Sequence, residues 1–436
     1  MFRKIYGILI IALALGLTSC ENYFGDINVN PNSPIDASVD VILTSVEVEI
    51  ADIYGGDFAR FSSILTQQAE GVARQWSSIN NYTGYEPANF NTAWVNTYAN
   101  ILNEVKILKS KANTAGFNHY EAVANTLMAY HLMNATDVWG DMPYTEAFQG
   151  VDNLTPVFDT QESIYTEVFS LLSEAINLFN GDPGAVSPGG DDLIYAGDVA
   201  SWIAAANGIV ARGRLHLALV DGANYTAALT AAGNAFADAS GDMNLQYSSS
   251  VQGQWYRFMN GRTGDIEFHP TYRAMMTGAA DTNRLNLLDN TFNTEHPYFV
   301  DAYNQPMITY REIKFIEAEC LMQTGGDNAD IHTAWSAGVE AAFAHFGLSA
   351  NYAEFMTNND PGVGNVTMEH IMTQKSIALF GTMEPYTDWR RTGMPALTPN
   401  DGNTIPVRFP YGTDELAFNS NTPVVQVTDK LWWDKN

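Results

Sequence analysis

The stretch Tyr120-Glu-Ala-Val-Ala-Asn-Thr-Leu-Met-Ala-Tyr-His-Leu-Met-Asn-Ala135 decides the fold class. Its apolar and aromatic side chains recur at intervals of three and four residues, which is the period of one helix face. The small residues Ala124 and Ala129 lie along the same stretch and allow a second helix to approach closely. The pattern therefore predicts an amphipathic helix that packs against a neighbouring helix.

The same periodicity recurs along the chain, with no comparable alternating pattern of strands. Further helical stripes are found at residues 39–53, 58–72, 94–108, 164–179, 199–210, 225–236, 313–321, 331–346 and 371–380. Their pairwise spacing resembles tetratricopeptide helix pairing, although the 34-residue consensus is not readable. Three long stretches interrupt the helices, at 76–91, 181–198 and 240–306. We predict a mainly α protein built of tetratricopeptide-like helical pairs with long irregular inserts.

The N-terminus has the pattern of an export signal. Arg3 and Lys4 precede an apolar run, Ile8 to Leu17, that is too short to cross a bilayer as a helix. Leu17-Thr18-Ser19-Cys20 resembles the lipobox of bacterial lipoproteins, in which the cysteine after the cleavage site carries acyl chains. We expect a lipoprotein signal peptide at 1–19, a lipid-anchored tether at 20–36 and one α-helical ligand-binding domain at 37–436. The alternative is an ordinary cleaved leader with Cys20 incidental.

Charge and cysteine content exclude several classes of function. The formal charge is −28; the leader holds two of the 21 basic residues and none of the 49 acidic ones. A chain this acidic is not expected to bind nucleic acid, because such binding requires Lys and Arg side chains to neutralise the backbone phosphates. Beyond Cys20 only Cys320 remains, so a cysteine zinc site is excluded, and a buried, inert thiol is expected. Asp26-x-Asn28-x-Asn30 resembles the start of a calcium loop but lacks its glycine and glutamate, so no metal or cofactor is predicted.

Two of the irregular stretches carry the chemistry of a sugar site. Sugar rings have apolar faces edged by hydroxyls, which suit flat aromatic rings beside amide and guanidinium groups. The predicted ligand-binding residues are Arg74, Trp76, Asn80, Asn81, Tyr82, Tyr85, Trp255, Tyr256, Tyr272 and Arg273. The alternative is that these aromatics pack their loops onto the body. Trp94, Trp202 and Trp335 lie on helix stripes and are predicted to be core residues.

No enzyme signature is present: the zinc-protease, phosphate-loop and serine-hydrolase motifs are all missing. A glycosidase needs two carboxylates about 5–9 Å apart, and 49 acidic residues leave such a pair open. Glu384 and Asp388 share a helix face, but a helix cap or an ion pair with Arg391 is the simpler interpretation. We expect no catalytic residues and no cofactor.

Several ordered motifs resemble the SusD/RagB family of nutrient-binding outer-membrane lipoproteins. They are the Cys20 lipobox, Asp26-Ile-Asn-Val-Asn-Pro-Asn32, Asp137-Val-Trp-Gly-Asp-Met-Pro-Tyr144, Arg311-Glu-Ile-Lys-Phe-Ile-Glu-Ala-Glu319, Gln374-Lys-Ser-Ile-Ala-Leu-Phe380, Glu384-Pro-Tyr-Thr-Asp-Trp-Arg-Arg391, Ile405-Pro-Val-Arg-Phe-Pro-Tyr411, Asn419 and Lys430-Leu-Trp-Trp-Asp434. Each is weak alone, but together they span the chain in order. Trp139 and Trp389 belong to these motifs and are expected to be structural.

The resemblance implies a single SusD-like domain on the outer face of an outer membrane. It implies a partner, a TonB-dependent SusC-like barrel, to which an oligosaccharide ligand is delivered for import. The alternatives are peptide binding on the same scaffold, a secreted glycoside hydrolase, and a purely structural lipoprotein. No ligand motif of the family can be transferred residue by residue.

Overall fold

The computed structural model describes residues 37–278, 281–288 and 296–436, so the predicted leader, Cys20 and the tether lie outside the described residues. Helices account for most of the described chain. They are α1 Val39–Ile53, α2 Ala59–Leu65, α3 Gln75–Asn80, α4 Pro87–Val95, α5 Asn103–Ala115, α6 Asn118–Trp139, α7 Gln161–Phe179, α8 Val199–His216, α9 Ala223–Ala232, α10 Gln254–Gly261, α11 Pro270–Gly278, α12 Thr282–Asn286, α13 Tyr310–Thr324, α14 Asn328–His345, α15 Tyr352–Asn359, α16 Met368–Ala378, α17 Glu384–Thr392 and α18 Thr413–Phe418. π-helical turns at Tyr54–Phe58 and Asn96–Leu102 continue α1 and α4.

Two small antiparallel sheets accompany the helices. The strands are β1 Ala69–Gly71, β2 Met243–Gln246, β3 Ile266–Phe268 and β4 Asn304–Ile308. β1 pairs with β3, and β2 pairs with β4. The prediction of a mainly α protein is confirmed.

The helices pack as the predicted hairpins. α5 packs on α6, α6 on α7, α8 on α9, and α13 on α14. α6 is central, since its side chains are buried from Tyr120 to Trp139. Gly116, at φ +69°, makes the left-handed turn between α5 and α6, which favours glycine. Trp94, Trp202 and Trp335 are buried, as predicted.

Local sequence signals set the helix starts. Thr160 caps α7, where its hydroxyl accepts a hydrogen bond from the Ser163 amide. The Asp198 carboxylate caps α8 in the same way through Ser201. These caps satisfy amides that the first helical turn leaves without partners.

The three inserts are more ordered than predicted. The 76–91 insert contributes to α3 and α4, and the 240–306 insert contains short helices and three strands. Elements of three to nine residues are too short to show a clear periodicity, which explains the difference. In the 181–198 insert, the Asp192 carboxylate accepts hydrogen bonds from the Ile194, Tyr195 and Gly197 amides and the Trp202 indole.

The C-terminus docks in the core, as its Leu-Trp-Trp sequence predicts. Leu431 and Trp433 are buried against the main hydrophobic cluster. Cys320 is also buried, and burial raises the pKa of its thiol, consistent with an inert side chain. Within the described ranges, none of the helices combines the length and apolarity needed to cross a bilayer.

Candidate functional site

The structure joins the two predicted ligand-binding stretches, although nearly 200 residues separate them. β1 pairs with β3 so that Ala69 faces Phe268 and Gly71 faces Ile266. The Asn400 side chain donates a hydrogen bond to the Asn80 carbonyl at 2.9 Å, which adds a third segment. One surface is therefore built from residues 67–85, 254–273 and 398–403.

Most of the aromatic rings predicted to stack on sugars are buried within this assembly. The Trp76 ring packs against Phe61 and edge-on against Phe258, with the centroids 5.5 and 5.2 Å apart. Trp255 packs on Phe380, 5.6 Å away, and the Tyr272 hydroxyl donates to the Ile377 carbonyl. The buried rings are Trp76, Tyr82, Tyr85, Trp255 and Tyr272, each at most 7% exposed. A ring covered on its faces cannot stack on a sugar, so the stacking prediction for these five is wrong.

The polar members of the predicted set stay accessible around the β1–β3 pair. Arg74 is exposed, and Asn80, Asn81, Tyr256 and Arg273 are half-buried. Their contact with a ligand stays a prediction. Arg262, at the end of α10, is also exposed. We call the solvent-accessible part of residues 67–85 and 254–273, which includes Arg74, Asn81, Tyr256, Arg262 and Arg273, the ribbon face.

The guanidinium groups of Arg262 and Arg273 make no side-chain hydrogen bond or ion pair with the residues that the structure describes. Arg74 pairs with the buried Asp265 carboxylate at 2.5 Å. Among the described residues, no ion pair includes Arg262 or Arg273. Arg273 lies over the Phe268 ring, 5.9 Å from its centroid. Planar N–H donors without an internal partner are suited to vicinal hydroxyls of a ligand.

The ribbon face also has a carboxylate pair. Glu70 faces Glu267 across the β1–β3 register. Burial and the charge of Glu267 raise the pKa of Glu70, and the Arg273 charge opposes that rise. Acceptors thus lie beside donors, as a polyhydroxylated ligand requires. No group of three or more potential metal ligands occurs in the described parts of the chain.

Backbone strain concentrates along the same segment. Six non-glycine residues of the described chain have positive φ, and Gln67, Arg74 and Tyr82 are three of them. Arg74, at φ 54° and ψ −139°, lies in a region that is almost restricted to glycine. Such conformations cost about 1–3 kcal/mol each and tend to occur at functional sites. Three of the six positive-φ residues of the described chain therefore lie within residues 67–82.

Three of the family-like motifs, 137–144, 384–391 and 430–434, contribute to a buried network instead. The Asp137 carboxylate accepts hydrogen bonds from the Tyr165 hydroxyl and the Trp433 indole, and lies 3.0 Å from His216 Nδ1. His216 Nε2 is 3.1 Å from Glu384. Burial alone lowers the pKa of His216, but Glu384 and Asp137 outweigh it and raise that pKa to about 9. His216 is a structural cation in this network.

The two carboxylates considered for glycosidase chemistry are also structural. Glu384 lies 3.4 Å from the Arg212 guanidinium, which also forms a two-pronged pair with Glu312 at 2.6 Å. Asp388 binds Arg391 at 2.8 Å, which confirms the simpler interpretation of that motif. Both carboxylates are at most 4% exposed. They cannot flank a glycosidic bond in this conformation.

Sequence reasoning missed a cavity of about 470 Å³ that opens at another part of the surface. Its walls include Trp94, Tyr98, Phe148, Asp414, Glu415 and Phe418. These residues come from three segments far apart in sequence. Trp94 and Tyr98 were recognised as one helix stripe, but the sequence has no signal that brings 414–418 to it. We call this cavity the aromatic pocket.

Comparison with known proteins identifies what the whole chain resembles. A SusD-like family model described as "Starch-binding associating with outer membrane" matches residues 31–412. A SusD/RagB family protein from Bacteroides thetaiotaomicron superposes with a TM-score of 0.76 at 20% identity, over 92% of this chain and 99% of that chain. A structure named as a chitin-binding protein superposes with a TM-score of 0.74 at 22% identity, over 92% of this chain and 100% of that chain. A SusD homologue from Bacteroides fragilis superposes with a TM-score of 0.74 at 18% identity, also over 92% of this chain and 100% of that chain. No curated protein matches the chain.

Proposed function

The chain belongs to the SusD-like family of outer-membrane-associated binding proteins, and from that membership we propose that it binds nutrient oligosaccharides at the cell surface and delivers them to a TonB-dependent, SusC-like transporter. The observation that carries the proposal is the family match over residues 31–412, which covers nearly the whole described body. The chitin-binding protein among the structural relatives favours a carbohydrate ligand over a peptide.

The proposed ligand site is the ribbon face. A saccharide there contacts the guanidinium groups of Arg262 and Arg273 and the half-buried ring of Tyr256. Guanidinium forks donate to adjacent hydroxyls, and a tyrosine ring provides apolar surface with little conformational entropy to lose. Arg74, whose backbone is strained, ties its segment to this site through its ion pair with Asp265, which lies between Arg262 and Arg273 in sequence. Binding, without cleavage, is the proposed chemistry.

The proposed anchor is an acylated Cys20, with residues 20–36 as the tether between membrane and body. One acyl chain gives only marginal attachment, so a multiply acylated cysteine is needed for a firm hold. A Cys20→Ala chain in cells should move from the membrane fraction to the soluble fraction. Continued membrane recovery after Cys20→Ala would contradict the anchor.

The binding proposal is tested by calorimetric titration of residues 21–436. The ligands are malto-oligosaccharides and chito-oligosaccharides of matched length, beside a tryptic peptide digest. The variants are Arg262→Gln and Arg273→Gln, and Lys435→Gln at the exposed C-terminus is the control with the same change of charge. We expect saturable binding of one glycan series, weakened about tenfold by the ribbon-face variants and not by the control. Binding of peptides alone contradicts the glycan assignment.

A further inference from the structure

We propose that the aromatic pocket is a second binding site, which takes an amino-sugar unit carrying a free, protonated amine. The pocket is separate from the ribbon face, since residues 94–103, 143–156 and 414–418 form it. Its volume of about 470 Å³ lies within the usual range for small-ligand sites.

The walls of the pocket provide ring surfaces for a sugar. Tyr98 and Phe148 provide the ring surface, with centroids 6.0 Å apart. Trp94 packs on Tyr98, 4.9 Å away, but is only 4% exposed, so it supports the pocket wall and does not stack on the ligand. Phe418 stands at the rim with 76% of its surface exposed. Aromatic rings bind the apolar C–H face of a pyranose, and their negative faces also attract a nearby cation.

Exposed apolar side chains cluster around this opening. Val95 and Phe418 line it, and Leu154, Val157 and Leu416 lie on the adjoining segments. Those segments are joined, because the Asn419 side chain donates to the Pro156 carbonyl and the Asn421 side chain to the Thr155 carbonyl. A contiguous exposed apolar patch usually marks a binding surface.

The charge of the pocket selects the ligand. None of the residues that line it is basic, and two of them, Asp414 and Glu415, are carboxylates. Glu415 accepts hydrogen bonds from the neutral Trp94 indole and the Asn419 amide. Asp414 is exposed, and its carboxylate has no hydrogen-bond or ion-pair partner among the described residues. An ammonium group on the sugar ring would form a direct ion pair with this exposed carboxylate in place of part of its hydration.

Backbone strain supports a binding role at this pocket as well. Phe148 has φ 64°, although a bulky residue rarely adopts the left-handed region. The Lys106 ammonium lies over the Phe148 ring, 5.2 Å from its centroid, and is not part of the lining. The Phe148 ring therefore already binds one cation. A ligand amine in the pocket is repelled by Lys106 and attracted by Asp414.

The test is calorimetric titration with glucosamine oligomers and with N-acetylated oligomers of the same length. We expect the free-amine series to bind about two- to fivefold more tightly, because acetylation removes the charge that pairs with the exposed Asp414. Asp414→Asn should weaken that binding about two- to fivefold, and Lys106→Gln should tighten it about two- to threefold. Glu340→Gln, an exposed carboxylate on α14, is the matched control and should change nothing.

The pH dependence provides a second readout. Raising the pH above the pKa of the ligand amine should abolish the difference between the two series. Equal affinity for both series, an unchanged Kd in Asp414→Asn, or a response to tryptic peptides alone overturns the proposal. These outcomes leave the ribbon-face titration intact, since Arg262→Gln and Arg273→Gln lie on other segments.

Discussion

The indole Nε1–H of Trp433 donates a hydrogen bond to the carboxylate of Asp137, 2.8 Å away, across 296 residues of chain. The same carboxylate binds Tyr165 at 2.6 Å and lies beside His216. The C-terminus is thereby tied to the central helix α6. The motif residues Asp137, Glu384 and Trp433 therefore hold the fold together and do not contact the proposed ligand sites.

Asp137→Ala should lower the free energy of unfolding by about 3–5 kcal/mol. The change leaves the buried His216 cation without one of its two carboxylates and leaves the Tyr165 and Trp433 donors unpaired. Urea unfolding followed by circular dichroism measures the loss. Glu340→Gln on the exposed side of α14 is the control, and a loss below about 1 kcal/mol in Asp137→Ala would contradict the account.

His216 should make stability fall as the pH rises. Its pKa is about 9 in the folded protein, against about 6.5 in the unfolded chain. The stabilisation is complete below pH 6.5 and disappears as the pH rises through about 9. The linked free energy is on the order of 3 kcal/mol. Urea unfolding midpoints at pH 6 and pH 9.5 measure the loss of stability. In His216→Asn the difference in stability between these two pH values should be smaller. An unchanged difference in that variant argues against a cationic His216.

Glu47→Gln should stabilise the protein at neutral pH. Glu47 is fully buried, and burial together with the charge of Asp192 raises the pKa of its carboxyl group well above the usual value. A carboxyl group whose pKa is raised by folding destabilises the folded protein at any pH above its pKa in the unfolded chain, because ionisation then favours the unfolded chain. Glutamine keeps the oxygen that accepts the Leu193 amide hydrogen bond of 2.7 Å.

Thermal unfolding of Glu47→Gln at pH 5 and pH 8 is the measurement. The gain in Tm should be larger at pH 8 than at pH 5. A variant that is less stable than the wild type at pH 8 shows that Glu47 is ionised in the folded protein.

Trp76→Ala and Arg273→Gln should separate structural from ligand-binding residues. Trp76 is 6% exposed and packs on Phe61 and Phe258, so its truncation should cost about 3–5 kcal/mol. Arg273 has no ion-pair partner among the described residues, so Arg273→Gln should change stability by less than about 0.5 kcal/mol. Scanning calorimetry compares them, and equal losses of stability would contradict the assignment of Arg273 to ligand binding.

Helical periodicity in the sequence predicted which helix faces are buried. It could not predict which distant segments pair in the folded chain. The stripes through Trp94, Trp202 and Trp335 predicted the buried faces of long helices correctly. The pairing of β1 with β3 joins strands of three residues whose partners are nearly 200 positions apart, and no local pattern encodes it. Composition showed aromatics in the inserts, but it could not show that Trp76 and Trp255 face inward. The aromatic pocket was missed for the same reason, because Asp414 reaches Trp94 only in the folded chain.

The most direct test of the account is hydrogen–deuterium exchange of residues 21–436, with and without a saturating concentration of the tightest-binding oligosaccharide from the titrations. The ribbon face predicts that bound ligand slows exchange of backbone amides in 67–85 and 254–273, and that Arg273→Gln reduces this protection. Protection confined to other segments, with 67–85 and 254–273 unchanged, would contradict the assignment of the ligand site to the ribbon face.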